Sequence, residues 1–258
     1  MKKTLVAFAL ASTLLVGAGA SAAEPKPVIV LVHGAFADAS SWNRVVAILE
    51  KDGYRVVAAA NPLRGVGSDA RYVSDIVGGI PSPVVLVGHS YGGNVITDAA
   101  NGHANVKALV YVSAFAPDVG ETAAGLSGKF PGSTLGPTLA PPVKLSDGGS
   151  DLYIQQDKFH DQFAADVPEA EAALMAATQR PVTEAALNEP TAKPAWKTLP
   201  SWHIYGSADR NIPPEAMAFM ARRAHAREVR VIEGGSHVVM VSNPQPVARI
   251  VEDAADVK

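Results

Sequence analysis

Three observations predict an α/β fold: a mostly parallel sheet of about six strands flanked by helices, with a helical cap inserted in the second half. Runs of β-branched residues ending in glycine recur along the chain, and each is followed by a segment with apolar residues at helical spacing. The alternation stops between Pro117 and Lys197 and then resumes. The first of these runs, "PVIVLVHG", is continuous rather than alternating, which marks a strand covered on both faces, as in parallel sheets.

The elements follow in order. "PVIVLVHG" (27–34) reads as the first strand. In "DASSWNRVVAILEKDGY", Ser40 or Ser41 is expected to cap a helix that places Trp42, Val45, Val46 and Leu49 on one face and stops at Gly53. "RVVAAANP" is a second strand, and "SDARYVSDIVGGI" a helix ended by Gly78 and Gly79. "PVVLVG" is a third strand, followed by a helix from Ser90 to Ala100, and "VKALVYVSAF" is a fourth. The segment from Pro117 to Lys197 has many Gly and Pro residues and one Ala-rich helical stretch, "VPEAEAALMAATQR". It also contains Leu152, Tyr153, Ile154, Phe159, Phe163 and Leu174, which need burial. It is therefore read as a cap (119–195) rather than a linker, inserted in a core made of 24–118 and 196–258. "SWHIYGS", "PPEAMAFMARRAH", "REVRVIEGG" and a last helix from Asn243 to Asp253 complete that core.

Composition narrows the class of partner. A net charge of −3 with no basic block gives no electrostatic footprint for nucleic acid or for an anionic membrane surface, so a small molecule is the expected partner. Lys2 and Lys3, an apolar run from Leu5 to Ala18 and an Ala-x-Ala-like end have the layout of a secretory signal peptide (1–23), with cleavage after Ala22 or Ala23. The expectation is a bacterial protein, periplasmic or secreted, with no stable membrane anchor after cleavage. The chain has no cysteine, which excludes a disulfide framework and thiol chemistry. Reactivity must come from serine, histidine and carboxylates.

"GHSYGG" (88–93) contains Gly-x-Ser-x-Gly between a strand and a helix, the context in which such a serine is lifted clear of the backbone. A serine hydroxyl needs a base, and the base needs an orienting acid. Of seven histidines, His103, His160 and His225 lack distinctive surroundings, and His203 lies within a strand. His237 follows a strand directly, in the loop "GGSHVVM", and is the expected base. Asp209, in "IYGSADRNIPP", is the expected acid because its loop ends on Pro213 and Pro214 at a helix start. Asp118, in "SAFAPDVG", also follows a strand and is its competitor, as a replacement or a support. The N–H of Ala35, or alternatively Phe36, in "LVHGAF" is expected to pair with that of Tyr91 as an oxyanion hole. His33 and His89 are read as braces for these turns. Phe36, Tyr91, Phe159, Phe163, Leu174 and Met175 are candidates to line an apolar acyl or alcohol pocket, a role that a plain core stripe would not require.

The set "HGAFADASSW…GHSYGG…AFAPD…GSADRNIPP…GGSHVVM" resembles the α/β-hydrolase superfamily over the whole mature region. It is most similar to the compact branch of salicylate esterases, hydroxynitrile lyases and bacterial esterase-like hydrolases. The resemblance implies Ser90 as nucleophile, His237 as base and Asp209 as acid but does not transmit the substrate; the expected activity, read from the assembled residues, is a serine hydrolase of small carboxylic esters. Serine at the elbow argues against haloalkane dehalogenases and epoxide hydrolases, which carry aspartate there. Hydroxynitrile lyases use a lid lysine and an additional threonine, and no threonine adjoins "HGAF". Cofactor-free haloperoxidases acting as perhydrolases share the triad, and a non-catalytic receptor with this fold is the alternative of another class. No metal or nucleotide motif is present, and no cofactor is expected.

Overall fold

The computed structural model describes residues 26–257, so the signal-peptide reading lies outside the described residues. The first half runs β1 (Val28–Val32), α1 (Asn43–Lys51), β2 (Val56–Ala59), α2 (Val66–Gly78), β3 (Val84–His89), α3 (Gly92–Ala99) and β4 (Val106–Val112). The inserted segment contributes α4 (Ala123–Gly128), β5 (Val143–Lys144), β6 (Ser150–Leu152), α5 (Gln156–Phe163), α6 (Glu169–Thr178), β7 (Val182–Thr183) and α7 (Glu184–Asn188). The chain then completes the core with β8 (Ser201–Gly206), α8 (Pro214–Arg223), β9 (Glu228–Ile232), α9 (Val239–Ser242) and α10 (Pro244–Ala255).

Six strands form one parallel sheet in the order β2-β1-β3-β4-β8-β9. Every residue of β1 and β3 is buried, as their unbroken apolar runs demand of strands with neighbours on both sides. α2 packs on α3, and α1 on α10. β1 lies between β2 and β3, so successive connections leave β1 in opposite directions along the sheet. A crevice opens at such a reversal, beyond the carboxyl ends of the strands. Gly34 and Ser90 stand at the ends of β1 and β3 on either side of it.

Three local expectations are corrected. Neither Ser40 nor Ser41 caps the first helix: Asp38, in extended conformation, accepts the Ser40 N–H at 2.7 Å and opens a 3-10 turn over Ala39–Trp42 that leads into α1. α3 begins at Gly92 rather than Ser90, because Ser90 has a left-handed φ of 53° that no helical residue shares. The inserted segment is not wholly helical either. It carries a three-stranded antiparallel sheet, β5-β6-β7, whose strands of two or three residues are too short to leave a periodic pattern.

Candidate active site

Ser90 sits at a sharp turn between β3 and α3. A left-handed φ is costly for a serine, and the surroundings impose it. Ser90 N–H donates to the Val112 carbonyl at 3.3 Å, while its own carbonyl accepts from Gly93 at 2.9 Å and Phe115 at 3.3 Å. Two glycines permit the close packing. A Cβ on Gly92 would collide with the Val32 carbonyl, and one on Gly34 would lie 2.6 Å from Ser90 Cβ and 3.0 Å from the Tyr91 nitrogen. The loop after β1 is thereby pressed against the elbow.

Two backbone donors stand beside that serine. Among the described residues, the N–H groups of Ala35 and Tyr91 have no hydrogen-bond acceptor, whereas Phe36 N–H donates to the Arg180 carbonyl at 3.0 Å. The Phe36 alternative is therefore spent. Ala35 and Tyr91 both line the cavity that reaches Ser90.

On the far side of the sheet centre, the loop after β9 turns at Gly234 (φ 70°) and delivers His237 into the interior. His237 Nδ1 lies 2.7 Å from Asp209 Oδ2, with side-chain exposures of 1% and 0%. The other carboxylate oxygen of Asp209 accepts the N–H groups of Asn211 at 2.8 Å and Ile212 at 3.0 Å. Facing a carboxylate, Nδ1 carries the proton, which leaves Nε2 as the acceptor. Nε2 is buried and has no partner among the described residues. The imidazole is thus fixed in one tautomer with its basic nitrogen free.

Aromatic rings hold this imidazole in place. Phe163 meets the His237 ring edge-on at 5.1 Å between centroids, and His89 lies at 4.8 Å. His89 Nε2–H donates to the His237 carbonyl at 3.1 Å, and burial pulls the His89 pKa well below its usual value, keeping the ring neutral. His33 Nδ1–H donates to the Gly34 carbonyl at 3.0 Å, and the His33 carbonyl accepts from Asn61 at 2.9 Å. Both residues occupy the bracing positions read from the sequence.

Asp118 is elsewhere. Its carboxylate pairs with Lys197 at 2.5 Å, and that contact holds its pKa below the ordinary carboxylate range. Of the remaining histidines, His203 stacks on Tyr111 at 4.7 Å, His103 engages Ser74 Oγ at 2.6 Å, and His160 the Val167 carbonyl at 2.8 Å.

A cavity of about 300 Å³ opens onto Ser90. Phe36 and Phe115 line it from the core, and Ala123, Leu135, Leu139 and Leu187 from the inserted segment; among the described residues, no charged side chain lines it. Four of the candidate pocket residues do not reach it. Phe159 and Phe163 are fully buried, packed on each other at 4.9 Å, with Phe163 behind Phe36 and His237. Met175 and the exposed Leu174 line a separate groove of about 320 Å³ between α6 and the start of α1, which shares only Phe36 with the first. Helix α6 turns those side chains away from the elbow. Leu135, Leu139 and Leu187 went unrecognised because they come from irregular stretches and a five-residue helix, where no periodicity marks a lining face.

Residues 29–250 match the model of the alpha/beta hydrolase family. An alpha-hydroxynitrile lyase of Arabidopsis thaliana is 27% identical over 244 residues, covering 86% of this chain and 94% of that protein. Methylesterase 8 of the same plant is 26% identical over 259 residues, covering 91% of each. A carbendazim hydrolyzing esterase of a Nocardioides species is 37% identical over a shorter stretch, 36% of this chain and 44% of its own. Among solved structures, polyneuridine aldehyde esterase superposes with a TM-score of 0.78 at 19% identity, covering 90% of this chain and all of that one. A pyrethroid hydrolase from Sphingobium faniae JZ-2 gives 0.70 at 22% identity, covering 89% and 97%. The chain belongs to the alpha/beta hydrolase family.

Proposed function

We propose that this protein is a serine hydrolase of uncharged carboxylic esters. The observations that support the reading are the buried His237–Asp209 pair, whose Nε2 has no partner among the described residues, and a serine held at a left-handed elbow beside two unoccupied backbone donors. Ser90 Oγ attacks the ester carbonyl as His237 Nε2 takes its proton. Asp209 stabilises the imidazolium, and the Ala35 and Tyr91 N–H groups receive the developing oxyanion. His237 returns the proton to the departing alcohol. Water, activated by the same nitrogen, then releases the acid and frees Ser90.

The relatives that are named as esterases support ester hydrolysis, and the cavity supports the restriction to uncharged esters. A carboxylate-bearing substrate would enter a space without a cation to pair with it, a penalty of several kcal/mol. A lyase reaction of the hydroxynitrile type would call for a lysine and a threonine, and the described lining contains neither.

The test is a panel of matched neutral and carboxylate-bearing esters, with Ser90→Ala as the blank. Neutral esters are expected to turn over with kcat/KM about 10²-fold or more above their anionic counterparts, and Ser90→Ala to show only background. Turnover retained in Ser90→Ala would overturn the reading, and equal rates on anionic esters would remove the charge restriction.

A further inference from the structure

We propose that Asp69 and the Tyr91 phenol form a positioning pair that sets the oxyanion donors and ties them to the inserted cap. The proposal rests on the serine-hydrolase reading above.

Asp69 lies in the first turn of α2 and is completely buried, yet no step of the mechanism uses it. Tyr91 Oη–H donates to Asp69 Oδ2 at 2.9 Å. The carboxylate also accepts Arg64 N–H at 3.1 and 3.2 Å, Gly65 N–H at 3.5 Å and Ser68 Oγ–H at 3.3 Å. Among the described residues it forms no salt bridge, and burial raises its pKa above the usual carboxylate value. A phenylalanine at position 91 would fill the same space without a buried acid; the phenol fixes the rotation of the residue whose N–H adjoins Ser90.

The linkage continues into the cap. Arg64 sends Nη1 to Asp151 in β6 at 2.6 Å and Nη2 to the Pro181 carbonyl at 3.0 Å. Thr183 in β7 donates its N–H to Leu63 O at 3.1 Å and its hydroxyl to Arg64 O at 3.0 Å. The Arg180 carbonyl takes the Phe36 N–H, which leaves Ala35 as the donor of that loop. One cap segment, 180–183, therefore holds both oxyanion donors, the first directly through Phe36 and the second through Arg64, Asp69 and Tyr91. Seating of the cap and formation of the hole are one event.

The test compares Tyr91→Phe, Asp151→Asn and their combination by kcat and KM on a neutral ester, by rate of fluorophosphonate labelling at Ser90, and by Tm. Tyr91→Phe is expected to lose about tenfold in kcat, less than the roughly 10²–10³ for removing a donor outright, with KM unchanged within about twofold. Asp151→Asn should lose about threefold, and the combination no more than Tyr91→Phe alone, because both changes act on one linkage. Labelling rates should fall in parallel with kcat. A Tyr91→Phe protein with lowered Tm and unchanged kcat and labelling would make the pair merely structural and overturn the proposal; multiplying losses would overturn the connection to the cap. If Tyr91→Phe fails to fold, Asp151→Asn, in a partly exposed ion pair, decides alone: unchanged kcat and labelling would sink the proposal. A wild-type protein that neither hydrolyses esters nor is labelled at Ser90 would instead defeat the serine-hydrolase reading and this proposal with it.

Discussion

The loops that follow β4 and β8 begin alike and end differently. Each leaves a buried parallel strand at the same edge of the sheet, and each carries an aspartate, Asp118 or Asp209. In the β8 loop the acid folds back on its own turn. Asp209 collects the N–H groups of Asn211 and Ile212 on one oxygen and presents the other to His237, sealed from solvent. In the β4 loop the Trp196 indole bonds the Pro117 carbonyl and Arg223 that of Ala116, while Asp118 is 30% exposed and neutralised by Lys197. Position at a strand end is shared by the two acids. What separates them is a turn that aims the carboxylate inward and the absence of a competing cation.

That contrast is sharpened first by Asp209→Asn. An amide there can hold the imidazole in the wrong tautomer, so kcat on a neutral ester is expected to fall about 10³–10⁴-fold with little change in KM. A loss smaller than that of Asp118→Asn would reverse the assignment.

A second test separates burial from function within β8 itself. His203 is as buried as His237, but both of its ring nitrogens lack partners among the described residues. Burial drives its pKa down to about 3, against 6.5 for a free imidazole. As the pH falls from about 6.5 toward 3, the unfolded chain binds a proton that the folded one refuses. Stability therefore declines by about 1.4 kcal/mol per pH unit from this residue, and the loss is complete below the folded-state value. His203→Phe, measured by urea unfolding between pH 7 and pH 4, should flatten this slope by one proton while leaving kcat at pH 7 within about twofold. An unchanged slope would contradict the assignment of His203 as a neutral, purely packed ring.

The smallest expected effect belongs to Asp118→Asn. An exposed ion pair contributes about 0–1 kcal/mol, so activity should stay within about twofold of wild type. Because Lys197 lowers the Asp118 pKa, this pair stabilises the fold above the ordinary carboxylate range and the contribution fades as the pH falls through the depressed value. A loss of kcat comparable with that of Asp209→Asn would erase the distinction between the two loops.

Much of this was legible in the sequence because it is local. The unbroken runs of β1 and β3 announced a parallel sheet, and the glycines around Ser90 announced a strained turn between strand and helix. His237 and Asp209 could be chosen because each stands just past a strand. The cavity wall was not legible: Leu135, Leu139 and Leu187 are set by the course of a segment with no period, while the aromatic residues Phe159 and Phe163, which looked better suited, were drawn into the core. Asp69 reads in sequence as an ordinary charged residue in the first turn of a helix. The approach of Tyr91 across the fold adds a long-range donor to the local ones from Arg64, Gly65 and Ser68 on its buried carboxylate. Asp38 displaced Ser40 and Ser41 as the cap because its carboxylate reaches both the Ser40 N–H and the Ser40 hydroxyl.

The central claim, that Ser90 is a nucleophile activated by His237, is tested most directly by treating the protein with a fluorophosphonate and locating the adduct by peptide mapping. The account predicts one adduct, on the peptide containing Ser90, formed in step with loss of ester hydrolysis and absent from Ser90→Ala. Complete modification at another residue with loss of activity, or full activity with Ser90 modified, would contradict it.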